Sequence, residues 1–504
     1  MAFKRAESVF FKHIPHVIST FLRKFATKTT HKTMMIGRNE EVKILQTAAH
    51  ADESKFVAVY GRRRVGKTYL VRETFNNTFA FYHTGLANES NQVQLAEFNR
   101  SLVHYGKKKV SKIKSWYDAF DQLAILLEKS QLEKKIIFID EMPWMDCPRS
   151  SFLSALEHFW NGWASARKDI LLIICGSATS WIINKVIKNH GGLHNRVSVR
   201  IHLKPFTLHE CELYANELNL HFNRRQVLEG YMIMGGVPFY WSQMQAGKSL
   251  LQNINLLFFS EDGVLRHEFA DLYDSLFKKP KPYLMIINAL ATKKVGMNRT
   301  EILKATKMSD NGKLTEFLEN LEYCGFIRKY NSIGMKNKNA LYQLMDNYTL
   351  FYYKFIKDNY INDEQYWSKI AGKPEYNTWC GLAFERVCLQ HIEQIKSKLG
   401  IQGIISTVYS WSIMGTKEKQ GAQIDLLIDR SDDVINLCEI KYSKAEFQIT
   451  SSIDNNLQNK RERFIQETRT KKAVHLTMIT TMGLMQNSYA WDVQSVVNMD
   501  DLFI

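Results

Sequence analysis

The 504-residue chain has no apolar run that approaches the ~18 residues of a membrane span. Its run from Ile170 to Cys175 is only as long as a buried strand, so a soluble, cytoplasmic protein with no membrane partner is expected. Cysteine provides no frame either. The seven cysteines (147, 175, 211, 324, 380, 388 and 438) are odd in number and scattered, with no Cys-x-x-Cys pair. That argues against a disulfide scaffold or a thiolate zinc site, and fits a reducing cytosol. Acids are in short supply. Against 67 Lys and Arg stand 51 Asp and Glu, a net charge of +16, and the isoelectric point is about 9.3. The imbalance favours a polyanionic partner, nucleic acid before membrane, although an excess of lysine also serves simply as a solvated surface. With 45% hydrophobic residues the chain can bury more than one core, and its length suggests about three domains.

What is present begins with Val57-Ala58-Val59-Tyr60-Gly61-Arg62-Arg63-Arg64-Val65-Gly66-Lys67-Thr68. It fits Gly-x-x-x-x-Gly-Lys-Thr at every fixed position, entered by an apolar strand and left by a helix-like run, Tyr69 to Phe75. Gly61 and Gly66 permit the tight turn that points successive N–H groups inward, and the helix N-terminus adds partial positive charge facing an anion. The loop from Gly61 through Arg62, Arg63, Arg64 and Val65 to Thr68 therefore reads as a site for ATP. Lys67 reaches the β- and γ-phosphates, and the Thr68 hydroxyl is a ligand for Mg²⁺.

About seventy residues later, Ile136-Ile137-Phe138-Ile139-Asp140-Glu141 reads as a buried strand ending in two carboxylates. Asp140 would hold Mg²⁺ through its water shell, and Glu141 would align or deprotonate the attacking water. The strand Ile170 to Cys175 leads into Gly176-Ser177, where Ser177 is either a sensor of the γ-phosphate or the cap of an ordinary strand-to-helix turn. Arg196 is an arginine-finger candidate for a neighbouring subunit in a homo-oligomer, or a plain surface residue.

These motifs, with Gly37-Arg38-x-x-Glu41 before them and Cys175-Gly176-Ser177 after, resemble the archaeal-type ATPase family of the AAA+ superfamily. The triple arginine inside the loop carries more of the likeness than the loop itself, and the likeness runs from about residue 35 to the C-terminus. It implies a P-loop NTPase core with a five-stranded parallel sheet over 34–205. A helical lid over 206–278 follows, with Gly235-Gly236-Val237-Pro238-Phe239-Tyr240 as its turn.

Residues 1–33 are basic, with Glu7 the single acid. They read as a transit peptide, an interfacial helix or a dispensable extension, the last preferred because Met34-Met35 precedes the first motif. Over 279–347, three helices and two strands are expected: Leu284–Leu290, Glu301–Thr306 capped by Thr300, Asn311–Cys324 with Leu314, Phe317, Leu318 and Leu321 buried, then a hairpin whose basic loop holds Lys336 and Lys338. That is a winged helix, whose third helix would enter the major groove of DNA. An aromatic, helical connector spans 348–375.

The last part, 376–504, carries Ile424-Asp425-Leu426-Leu427-Ile428 and Val434 to Lys441 around a turn. Alternation puts Glu439 and Lys441 on one strand face. With Asp425 on the partner strand, two carboxylates would hold Mg²⁺ while Lys441 orients a water or steadies charge on phosphorus. This resembles the PD-(D/E)XK nuclease core, which implies an α/β domain and Glu385 as a helix-borne third carboxylate; Ile424 stands where that pattern has proline. The expectation is an ATP-hydrolysing protein that binds DNA and cleaves it through Mg²⁺, or alternatively a nucleotide-gated DNA-binding switch without nuclease activity.

Overall fold

The run Phe56 to Val59 is fully buried because helices cover both sides of its strand, β1 (Lys55–Tyr60). Phe56 and Ala58 face one core and Val57 and Val59 the other, the pattern of a strand inside a parallel sheet. In this computed structural model the described residues are 35–107, 113–188, 191–193, 195–277, 279–331, 333, 340–357 and 363–504. The basic segment 1–33 and the hairpin loop with Lys336 and Lys338 lie outside them.

β1 pairs in parallel with β4 (Ile170–Gly176) and β5 (Val199–His202), and the sheet continues through β3 (Lys135–Asp140) to β2 (Phe81–Thr84), in the order β2-β3-β4-β1-β5. This is the five-stranded parallel α/β core that the sequence leads one to expect. The strand that leads into Ser177 lies between the one that feeds the loop and the one that ends in Asp140. Helices α1 (Asn39–Ala49) and α2 (Lys67–Thr74) cover one face. The other face is covered by α3 (Asn91–His104), α4 (Trp116–Glu128) and α5 (Phe152–Gly162). Trp116, Phe120, Leu123 and Leu127 all bury, as their spacing predicts, behind a Ser115/Asp118 capping box.

Five helices follow: α6 (Leu208–Glu217), α7 (Arg224–Met234), α8 (Pro238–Ser242), α9 (Leu250–Ile254) and α10 (Val264–Leu276). Next come α11 (Lys281–Ala291), a short strand β6 (Met297–Asn298), α12 (Arg299–Thr306), α13 (Gly312–Tyr323) and the hairpin β7 (Ile327–Tyr330) and β8 (Leu341–Leu344). This is the winged-helix order, with β6 closing an antiparallel sheet β6-β8-β7. The cap of α12 is Asn298, which forms a capping box with Glu301, rather than the expected Thr300. Leu314, Leu318 and Leu321 bury on α13, and Phe317 does so partly.

α14 (Asn347–Phe355) and α15 (Tyr366–Ile370) lead to α16 (Pro374–Gln390) and α17 (Ile392–Lys398). A mixed sheet ends the chain: β9 (Ser406–Ile413), β10 (Ala422–Arg430) and β11 (Val434–Lys441) are antiparallel neighbours, while β12 (Ala473–Thr480) and β13 (Ser495–Val497) add in parallel, with α18 (Ser451–Thr468) between β11 and β12.

The modules are not beads on a string. One continuous core runs from Phe206 in the segment before α6 to Phe503, taking in the helices after the first sheet, the helices and hairpin of 281–344 and one face of the last sheet. At its centre Phe351, Phe355, Trp367 and Trp379 meet edge to face, with ring centroids 5.0 to 5.7 Å apart.

Candidate functional site

The loop after β1 closes only because of its glycines. Gly61 has φ +145°, and a Cβ there would stand 2.2 Å from the Leu203 carbonyl oxygen. Gly66, at φ +91°, turns the chain into α2. Arg64 also takes a left-handed conformation, φ +68°, so the peptide N–H groups curl into an anion-binding nest. Lys67 is buried and its ammonium donates to the carbonyls of Gly61 (2.9 Å) and Arg62 (2.8 Å).

The Thr68 hydroxyl donates to Asp140 Oδ2 at 2.7 Å, and the Glu141 N–H donates to Asp140 Oδ1 at 2.9 Å. Ser177 donates through Oγ to both Glu141 carboxylate oxygens, each at 2.9 Å, and through its N–H at 3.2 Å. Of the two readings of Ser177, neither an isolated cap nor a free sensor describes this arrangement: the hydroxyl orients Glu141. A cavity of about 660 Å³ adjoins these groups, within the range of small-molecule sites. Lys67, Thr68, Glu141 and Ser177 make its polar end, and Tyr69, Phe206, Tyr214 and Phe239 an apolar one. Thr68 and Asp140 are the hard oxygen donors Mg²⁺ takes alongside water and phosphate, so the residues fit that ion.

The three loop arginines divide. Arg63 and Arg64 line the cavity, yet Arg63 donates to the Asp271 carbonyl at 3.0 Å, and Arg64 Nη1 stands 2.7 Å from Glu268 Oε2 with its guanidinium 4.0 Å over the Phe239 ring. Arg62 turns away from the cavity. It pairs with Asp346, the N-cap of α14, both being buried. Burial would lower the Arg62 pKa, but Asp346 outweighs it and raises it. The expectation that Arg62 binds nucleotide is thus corrected for its side chain: its charge is consumed by a partner 284 residues away. Arg196 is exposed and is not among the residues lining the cavity. Missed in the sequence are Asp346 and Glu268, whereas Arg38, part of the motif read before the loop, ties the start of α1 to the Lys204 carbonyl at 2.8 Å. Their partners are too distant in the chain for any local pattern to reveal.

The second constellation is drawn together less tightly. β10 carries a register irregularity between Ile424 and Leu427 that re-aims Asp425. Lys441 bonds Glu439 at 2.9 Å. Burial would lower the Lys441 pKa, but Glu439, then Glu385 and Asp425, raise it instead. The acids nevertheless hold ammonium groups. Glu439 also takes Lys460 at 2.7 Å, while Lys294, from the turn after α11, stands 2.9 Å from Glu385 and 3.8 Å from Asp425. The Lys294 carbonyl is itself clamped by Arg386 and Gln343. Among the described residues no three His, Cys, Asp or Glu side chains are grouped to hold a metal. Asp425, Glu439 and Glu385, expected to share Mg²⁺, each stand beside a lysine in this arrangement. Among the basic residues around this sheet, Lys460, Arg461, Arg463 and Lys472 are in ion pairs.

Residues 35–243 match the family model of an ATPase domain predominantly from Archaea. The chain is 24% identical over 446 residues to an uncharacterized protein of Methanocaldococcus jannaschii, covering 85% of this chain and 92% of that protein. It is 36% identical over 44 residues to an uncharacterized ATP-binding protein of the same organism, 9% of this chain and 75% of that one. Among solved structures it is similar to a Walker-type ATPase of Pyrococcus abyssi, at 17% identity and TM-score 0.45, over 63% of this chain and 95% of the other. It is also similar to the ORC2 protein of Aeropyrum pernix, at 13% identity and TM-score 0.39, over 71% and 95%. Among the described residues no helix is long and apolar enough to cross a membrane.

Proposed function

Since the chain belongs, through residues 35–243, to the family of ATPase domains found predominantly in Archaea, we propose that it binds ATP at the Gly61–Thr68 loop, hydrolyses it, and uses the cycle to switch a DNA-binding module. The observation that carries this reading is the unbroken chain Thr68–Asp140–Glu141–Ser177 beside Lys67. Thr68 and Asp140 would hold Mg²⁺, which when bound supplies positive charge at the terminal phosphates. Lys67 leaves its own loop carbonyls to take phosphate oxygens. Glu141 accepts the proton of the attacking water, and Ser177 sets its orientation. Arg196, outside the cavity, serves ATP only across a subunit boundary.

DNA as the partner is supported by the net charge of +16 and by the winged-helix order of residues 281–344. Helix α13 is not free for a groove in this arrangement. Its Tyr323 hydroxyl accepts from Lys188 of the ATPase core at 2.6 Å, and its exposed face mixes Lys313 and Thr315 with Glu316 and Glu319. A change of arrangement must therefore precede DNA binding through α13, which favours a nucleotide-gated switch. Mg²⁺-dependent cutting is the second reading, favoured by the bulge at Asp425 and the Glu439–Lys441 pair on one strand face.

The test of the ATPase is Lys67→Ala. Phosphate release from ATP should fall by at least about a hundredfold, because the residue meets the transferring group. Unchanged hydrolysis would place the active centre elsewhere.

A further inference from the structure

The loop arginines do something besides lining a cavity. Each of the three consecutive residues is held to an element beyond the ATPase sheet: Arg62 to Asp346 at the start of α14, Arg63 by a hydrogen bond to the Asp271 carbonyl and Arg64 by an ion pair with Glu268, both on α10. Arg62 has a second engagement. Its backbone carbonyl accepts from the Lys67 ammonium at 2.8 Å, so one residue holds both the phosphate-binding lysine and the carboxylate that caps the helix following the winged-helix hairpin. Lys67 cannot bond phosphate oxygens in this position without giving up the Arg62 carbonyl.

We propose that the arginine triplet is a latch that fastens α10 and the end of the winged-helix module to the phosphate loop, that nucleotide binding opens it, and that Asp346 is its positioning residue. This rests on the ATP-binding reading. Three observations support it independently of the loop motif. Arg62 and Asp346 are only 6% and 3% exposed, so the pair is shielded from water and salt and is energetically coupled to what surrounds it. Arg62 Nε and Nη2 are buried with no hydrogen-bond partner, so the closed arrangement leaves donors unsatisfied and is poised for release. A cavity of about 630 Å³ lined by Arg62, Asp346, Arg328 and Gly325 lies against the pair, giving the guanidinium room to move. The same closed arrangement seats α13 against Lys188, so opening the latch also frees that helix. By linkage, whatever nucleotide does to the latch the latch must do to nucleotide affinity.

The experiment uses the full chain and a non-hydrolysable ATP analogue with Mg²⁺. Its affinity is measured by calorimetry for the native protein, Asp346→Asn and Glu268→Gln, and amide hydrogen exchange is followed over 281–355 with and without the analogue. Asparagine keeps the size and capping ability of Asp346, and the exchange of the native protein needs no variant. Expected are about tenfold tighter binding by Asp346→Asn, a smaller gain by Glu268→Gln, and faster exchange of α13 and α14 in the native chain once the analogue is bound. A purely structural Asp346 would give equal or weaker binding, which overturns the proposal, as does native exchange that the bound analogue leaves unchanged. A native chain that binds no analogue overturns the ATP reading together with the latch; binding without altered exchange overturns the latch alone.

Discussion

Glu141 sits in a left-handed backbone conformation, φ +46°, at the end of β3. A non-glycine residue is held there only where its surroundings over-determine it, and three hydrogen bonds from Ser177 supply that constraint. A carboxylate so tethered, the base of the proposed hydrolysis, is aimed rather than merely present. Ser177→Ala should therefore lower kcat for ATP by about tenfold to a hundredfold while the KM changes little, since the hydroxyl acts on the base and not on the phosphates. Steady-state phosphate release separates the two constants; a loss confined to KM would assign Ser177 to ground-state binding. Gly61 is constrained differently. Its carbonyl accepts from Lys67 while its Cα is pressed against Leu203, so a methyl group there would push the loop off β5.

At the scale of elements, buried histidines fasten helices and strands to their neighbours. His391, at the end of α16, accepts from the Leu208 N–H of α6 at 3.1 Å through Nε2, and its Nδ1 donates to the Val387 carbonyl at 2.8 Å. Burial is the main reason its pKa falls from 6.5 to about 4, with the Val387 bond opposing. His83 on β2 is likewise pushed down to about 4 by burial. Both pKa values are depressed, so the unfolded chain binds more protons between the two values. The stability these residues contribute is intact above about pH 6.5 and is lost as pH falls toward 4, by up to about 1.4 kcal/mol per pH unit for each. Urea midpoints should fall over that window, and His391→Gln should flatten the part due to His391.

The same scale separates what could be read in advance from what could not. The loop, the Asp140 strand and the stripes of α4 and α13 follow from local period and spacing, which is why the motifs of the 34–205 core could be placed. β6 has two residues, too few to show a period, and its neighbour Asn298 took the capping role expected of Thr300. Asp346, Lys294 and the bulge at Asp425 depend on partners brought in by the tertiary fold. Chemistry confined to one segment was legible, and neutralisation by another module was not.

For the whole molecule, the excess of positive charge makes a prediction of its own. If duplex DNA is held through phosphates, its affinity should fall linearly on a log–log plot as salt rises, losing at least about tenfold between about 50 and about 200 mM; a flat response assigns the basic surface and the winged helix to protein contacts. In the same preparation, Mg²⁺-dependent nicking of plasmid should vanish in Lys441→Ala if the Glu439–Lys441 pair cuts. Equal nicking by both proteins would remove that pair from the reaction.

The core that runs unbroken from Phe206 to Phe503 also bears on how such a chain can diverge. An architecture whose parts share their apolar interior cannot trade them singly in descent, because a borrowed replacement would meet faces shaped for another occupant. Any single part after the first sheet could be exchanged only if the apolar faces of its neighbours changed in step.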